Sequence, residues 1–290
     1  MKQKPISIRY QNLRHAYGMA LSSAFGAVCG LYLYVELVKV NNLWVRDAAA
    51  GALIGGSIGF VVNAAGPFRD GAWLKLARAA TWGTLAGSAG GAIGLLIGEG
   101  VLGGLKGGTL GRAVSWAILG LGIGASQGIA DRSMQRLTFG LIGGGLGGFL
   151  GGFLFEQLRD RLGNRYDVSQ GVGMVVLGLG LGLCLALVEQ ALRRAWVVVL
   201  QGRQEGRAYL LARRVSALGL DERAEVGLFG DPTIARRHAE IEQAGPGYVL
   251  HNHDAQGRTR VNGELLTGPQ PLRDGDRIEL GQTLLVFRQR

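Results

Sequence analysis

Ionisable side chains are scarce in most of this chain, and that scarcity excludes more than any motif does. Only 18% of the 290 residues are charged, against roughly 25% in soluble globular proteins. The long apolar runs hold no Asp, Glu, Lys or Arg at their centres, whereas ion or proton transport places ionisable partners there. Active transport is therefore not supported. The two cysteines, Cys29 and Cys184, lie inside apolar runs without C-x-x-C spacing, which excludes a disulfide framework or zinc site and leaves them as small packing residues. No Ser/His/Asp or paired-carboxylate arrangement stands out, so the chain does not read as an enzyme and no cofactor is called for. His251-Asn-His253-Asp254 lacks a distal ligand cluster and reads as a polar turn, with no metal expected. Gly120-Leu-Gly-Ile-Gly124 and Gly178-Leu-Gly-Leu-Gly182 have no preceding strand and no suitable acidic residue downstream, so they fail as dinucleotide fingerprints.

What is abundant is apolar surface and glycine. The chain is 48% hydrophobic with a mean hydropathy of +0.21. Uncharged runs occupy Ala16–Val35, Ala48–Phe68, Ala79–Gly98, Ala113–Ala130, Leu137–Phe155 and Val168–Val188, each long enough to cross a ~30 Å hydrocarbon core. They predict an α-helical, glycine-rich transmembrane bundle of about six spans over residues 15–192, after a basic tail over 1–14 and before a β-domain over 196–290. The first run is too long for a signal-peptide core and reads as a retained helix. Of the net charge of +10, all but +1 lies before Trp196. Basic charge confined to tails and short loops suits anionic lipid headgroups rather than nucleic acid, and its bias toward the termini-bearing side predicts cytoplasmic termini, as in a bacterial inner membrane.

Of 51 glycines, 39 precede Trp196. Gly51, Gly55 and Gly59 repeat every four residues, as do Gly83/Gly87/Gly91 and Gly120/Gly124/Gly128. The fifth run carries two registers, Gly140/Gly144/Gly148/Gly152 and Gly143/Gly147/Gly151. Residues four apart share a helix face, so these are flat surfaces for close backbone approach, predicting a tightly packed bundle, a homo-oligomer, or both. Arg78-Ala-Ala-Thr-Trp82 echoes Arg112-Ala-Val-Ser-Trp116, and Gly51-Ala-Leu-Ile-Gly-Gly56 echoes Gly140-Leu-Ile-Gly-Gly-Gly145, which raises a helix-hairpin duplication. Coincidence in so biased a composition is the alternative.

After Trp196 the pattern changes to short β-type segments: Trp196–Leu200, Ala208–Leu211, Glu225–Phe229, Arg237–Gln243, Tyr248–Asn252, Thr259–Val261, Arg277–Leu280 and Thr283–Arg288. Turn signals separate them, including Gly230-Asp-Pro232 and Asn262-Gly263. Eight or more short strands predict an antiparallel sandwich.

Gly227-Leu-Phe-Gly-Asp-Pro-Thr-Ile-Ala-Arg-Arg-His-Ala-Glu-Ile241, Val261-Asn-Gly263 and Leu272-Arg-Asp-Gly-Asp-Arg-Ile-Glu-Leu-Gly281 together resemble a forkhead-associated (FHA) domain over Trp196–Arg290. The resemblance implies an 11-stranded sandwich whose loops bind phosphothreonine peptides, a dianion that needs convergent donors. The family's Gly-Arg motif appears as Gly227-Leu228, followed by a shortened segment. Its Ser-x-x-His motif appears as Ala235 to His238, and its Ser-Thr-Asn-Gly-Thr stretch as Ala255-Gln-Gly-Arg-Thr259. Two usual phosphate donors are thereby absent. The resemblance assigns Gly227, His238, Asn262 and Gly263 to the structural motif, the last three as loop-shaping residues, and leaves Arg236, Arg237, Arg258 and Thr259 as candidate phosphopeptide or partner contacts. The sequence thus reads as a membrane-anchored FHA-type interaction or scaffold protein. The alternative is an oligomeric passive channel or membrane-active assembly with the FHA-like domain as a regulatory or oligomerising module.

Overall fold

The computed structural model describes residues 8–98, 108–162, 166–254, 256 and 258–290. Lys2 and Lys4 of the basic tail, and Ala255 and Gly257 of the Ser-Thr-Asn-Gly-Thr equivalent, lie outside them. Arg14–Leu192 form one compact unit and Arg193–Arg290 the body of a second.

The first unit consists of α1 (Ile8–Leu37), α2 (Leu43–Asp70), α3 (Trp73–Ile97), α4 (Gly108–Asp131), α5 (Met134–Leu162) and α6 (Tyr166–Leu192). All six are long and apolar enough to cross a membrane. They extend past the apolar runs read from sequence because a helix satisfies its own backbone through polar ends as well, while Lys and Arg there extend toward water.

The glycine spacing specifies which helices touch. Between α2 and α3, Gly51 faces Gly91, Gly55 faces Gly87 and Gly59 faces Gly83, each so close that a Cβ would strike the opposing carbonyl. Gly120 with Gly144, and Gly124 with Gly140, do the same between α4 and α5, and Gly148 meets the Trp116 carbonyl. Gly152, the last rung of that ladder, corrects the expectation of backbone-on-backbone packing. A Cβ there would strike the Trp116 side chain, meeting both its Cβ and its ring. The bulky indole, edge-on to Phe155 at 5.4 Å, occupies the space that a facing glycine would leave open, so Gly152 makes room for a ring.

The second register of α5 meets α6. A methyl at Gly147 would lie 2.7 Å from the Leu181 Cα. The same 2.7 Å separates a methyl at Gly90 on α3 from Gly122 on α4, and one at Gly26 on α1 from Ile58 on α2. Four residues on, Gly30, Gly94 and Gly151 meet Ile54, the Ser115–Leu119 segment and Leu177. Gly178 and Gly182 of α6 pack on Ala24 and Ala20 of α1 and close the ring.

The same contact pattern thus recurs in three helical hairpins, α1–α2, α3–α4 and α5–α6. In each the second helix supplies the inner wall: Ile54, Ile58 and Val62; Trp116, Leu119 and Ile123; Leu177, Leu181 and Leu185, all buried in one cluster. This corrects the two echoes noted in the sequence. They pair α3 with α4 and α2 with α5, which are outer and inner helices of the repeat and not equivalent.

The second unit is an 11-stranded sandwich. One sheet runs β2 (Ala208–Leu210), β1 (Ala195–Gln201), β11 (Thr283–Gln289), β10 (Arg277–Leu280), β7 (Thr259–Val261), β8 (Glu264–Leu265); the other runs β4 (Val226–Gly227), β3 (Val215–Gly219), β5 (Ala239–Ala244), β6 (Gly247–Asn252), β9 (Gln270–Leu272). Alternate residues such as Val197, Val199, Leu218, Ile241, Leu250, Ile278, Leu285 and Phe287 fill the space between them. Three strands escape a sequence reading. In β3 the buried face begins with the polar Ser216 while Val215 is exposed, β9 is an edge strand that tolerates Pro271, and β8 has two residues. Asn262 and Gly263, both with positive φ (54° and 89°), make the tight β7–β8 turn that such residues favour.

Candidate functional site

At one end of the sandwich three loops converge through backbone hydrogen bonds. Leu220, just after β3, donates from its N–H to the Ala235 carbonyl (3.2 Å), and Asp221 to that of Arg236 (3.0 Å). His238 lies fully buried beneath. Its N–H donates to Leu218 O (2.9 Å), its carbonyl accepts from His253 N (2.9 Å), and its Nδ1 accepts from Ala235 N (3.0 Å). Burial holds the imidazole below its ordinary pKa, so the ring is neutral, as an accepting Nδ1 requires.

The β6–β7 loop is organised by Asn252 and Asp254. Asn252 Oδ1 accepts from Asp254 N (3.0 Å) and from the Thr259 hydroxyl (2.7 Å). Asp254, 6% exposed, accepts from Arg258 three times: Nη2 to Oδ1 at 2.9 Å, Nε to Oδ2 at 3.1 Å and the backbone N–H to Oδ2 at 3.1 Å. The Arg258 guanidinium holds the Asp254 carboxyl well below the usual carboxylate range. Asp231 ties the β4–β5 loop to the β10–β11 turn, accepting from Thr233 N (2.9 Å), Gln282 N (2.9 Å) and the Thr283 hydroxyl (3.1 Å).

A family model described as the inner membrane component of T3SS, cytoplasmic domain, matches residues 198–290. The oxoglutarate dehydrogenase inhibitor of Corynebacterium jeikeium (strain K411) is 33% identical over 93 residues, 32% of this chain and 63% of the relative. The chain thus spans less than two thirds of that relative's length. Among solved structures, a phosphothreonine-dependent FHA domain is 28% identical with a TM-score of 0.31, covering 33% of this chain and 97% of that one. The cytoplasmic domain of the T3SS sorting platform protein PscD from P. aeruginosa is 21% identical with a TM-score of 0.31, covering 33% and 80%. The C-terminal domain is an FHA-like domain.

Within the FHA-like domain the candidate residues divide sharply. Arg236 reaches the converging loops exposed and without a side-chain partner among the described residues. Arg237 pairs with Glu240, which also takes His253 Nε2 at 3.0 Å. Arg258 is locked by Asp254, and Thr259 is fully buried on Asn252. Asn262 and Gly263 form the β7–β8 turn, where Asn262 bonds Asp276 (2.9 Å) and the Arg277 N–H (2.9 Å).

Gly227 does not enter the converging loops. It sits in β4 beneath the Phe229 ring, and its carbonyl accepts from the Tyr209 hydroxyl at 2.9 Å. The glycine pressed against the Ala235 and Arg236 carbonyls is Gly219, so the Gly-x step facing the Ala235–His238 motif is Gly219–Leu220. On the FHA resemblance, Leu220 rather than Leu228 would then stand at the position of the motif's Arg. Sequence reasoning also missed Asp254 as the partner of Arg258; their four-residue spacing is visible, but the carboxylate's burial is not.

Proposed function

We propose that this is a membrane-anchored FHA-type interaction protein, its helical bundle an anchor and its FHA-like domain a cytoplasmic module that recognises a protein surface with little dependence on phosphate. The observation that carries the reading is the Arg258–Asp254 lock. Leu220 and Ala235 stand at the donor positions, Arg237 is paired and Thr259 is buried, so among these candidates only Arg236 presents a free guanidinium. A dianionic phosphate needs several convergent charge-assisted donors.

Calorimetric titration of the full-length protein in nanodiscs with a phosphothreonine peptide library tests this. Binding is expected to be weak and little changed by dephosphorylation. Low-micromolar binding that vanishes on dephosphorylation would overturn it.

The bundle's interior supports anchoring over conduction. Ile58, Leu119, Ile123, Leu177 and Leu181 are fully buried in its core, and Asn63 Nδ2 bonds the Gly59 carbonyl and Ser126 Oγ (2.7 and 2.9 Å) instead of lining a path. The four-residue glycine ladders are engaged within the chain, so homo-oligomerisation draws on other surfaces.

A further inference from the structure

The repeat provides an internal comparison at the two turns that join one hairpin to the next. Between α2 and α3, Gly71 adopts φ +67°, its N–H donating to Phe68 O (3.2 Å) while Ala72 N donates to Pro67 O (3.1 Å). Between α4 and α5 the same two bonds recur, Arg132 N to Ile129 O (3.2 Å) and Ser133 N to Gly128 O (3.0 Å). The residue in the left-handed position there is Arg132, with φ +50°. That conformation costs any residue with a Cβ, and the preceding copy avoids the cost with glycine. Complementing the helix dipole does not require it, since α2 places Arg69 in its last turn ahead of Gly71.

Arg132 is exposed, and no described residue engages its guanidinium. The acid beside it, Asp131, bonds Arg136 at 2.6 Å instead. The equivalent turn carries an exposed edge-to-face pair, Phe68 and Trp73, with ring centroids 6.3 Å apart. Met134, in the Trp73 position, is 77% exposed. Exposed aromatics at helix ends mark headgroup depth, so Arg132 projects at the level of lipid phosphates. Arg14 and Arg78, exposed near the starts of α1 and α3, stand at the same end of the bundle.

We propose that the strained α4–α5 turn is a binding site for the phosphodiester headgroup of an anionic phospholipid, with the Arg132 guanidinium as its principal donor. A non-glycine left-handed residue persists where its side chain repays the strain, and guanidinium matches phosphate geometry.

The test compares melting temperatures of the full-length protein in phosphatidylcholine nanodiscs with and without phosphatidylglycerol, for wild type, Arg132→Gly and Arg132→Asn. Asn tolerates the left-handed conformation without charge. Wild type should gain stability from phosphatidylglycerol, and both variants should lose most of that gain. In phosphatidylcholine alone Arg132→Gly should melt higher than wild type, by about 2 °C or more. Equal phosphatidylglycerol stabilisation of wild type and variants, or none in wild type, overturns the site. If inorganic phosphate in detergent reproduces the full effect, the ligand is a soluble anion and the lipid assignment falls.

Discussion

Replacing Asp254 by Asn probes the FHA-like domain where its geometry departs furthest from a phosphate receptor. In the native loop the nearly buried Asp254 carboxylate accepts all three Arg258 hydrogen bonds at 2.9–3.1 Å. A phosphate recruiting the guanidinium would strip two of them and leave the Asp254 carboxylate short of partners, a loss that opposes the bonds the phosphate gains. The phosphate would replace two charge-assisted bonds by two of the same kind, so Arg258 adds little to phosphate affinity. The Asp254→Asn substitution keeps the shape and the contact to the Arg258 backbone N–H, but it removes the negative charge. Phosphothreonine affinity should then rise at least about tenfold, equivalent to ~1.4 kcal/mol, while affinity for the unphosphorylated peptide stays constant. Paired calorimetric titrations read the difference, with a thermal melt to establish that the variant is folded. A folded Asp254→Asn protein whose phosphate dependence equals that of wild type would refute the lock.

Three further outcomes rest on the same geometry. Gly144→Leu and Gly148→Leu should lower thermal stability in detergent by well over the about 1–3 kcal/mol typical of overpacking, whereas Gly18→Ala, with nothing within 4 Å of the new methyl, should be neutral or stabilising; equal effects at both sites would count against the ring packing. Burial depresses the His238 pKa in the folded state, so its contribution is present above the unfolded value of about 6.5 and is lost as pH falls below it. The unfolding transition of the FHA-like domain should move down between pH 7 and pH 5, and a flat profile would show that His238 is not held neutral. The orientation expected from the loop charges places both termini in the cytoplasm, so cysteines at positions 8 and 205 should resist an impermeant reagent in intact cells, and labelling at either overturns that orientation.

Some of this was legible in the sequence, and the rest was hidden for physical reasons. Hydropathy located all six helices because lipid imposes length and apolarity on every span. The double register of α5 implied neighbours on two sides; Gly140 and Gly144 meet α4 while Gly147 and Gly151 meet α6. Spacing alone could not separate Gly152 from the other rungs, because what faces it, the Trp116 ring, belongs to another helix. The threefold repeat stayed hidden because α1 uses Ala20 and Ala24 where α3 and α5 use glycine. Similar hydropathy on inner and outer helices also made α3 and α4 look alike. In the FHA-like domain the motif around His238 was readable, but two Gly-Leu steps competed for one role. Only the hydrogen bonds of Leu220 and Asp221 to the Ala235–Arg236 segment choose Gly219. Arg258 looked available because spacing says nothing about whether a neighbouring carboxylate is buried.

The glycine contacts also decide what the bundle can do mechanically. In lipid there is no hydrophobic drive between helices, so association depends on van der Waals contact and polar bonds made at short range. Here the closest contacts are backbone on backbone: Gly51 on Gly91, Gly55 on Gly87, Gly59 on Gly83, Gly120 on Gly144, Gly124 on Gly140. Opening a water-wide path between the inner helices would part these surfaces, and a gap of even 0.5–1 Å forfeits roughly a quarter to a half of each dispersion contact. It would also separate Ser126 from Asn63 and expose Ile58, Leu119, Ile123, Leu177 and Leu181 to water. Nothing among these wall residues offers the polar groups that would stabilise the hydrated state. A ring interlocked this closely favours a rigid support over a conducting path.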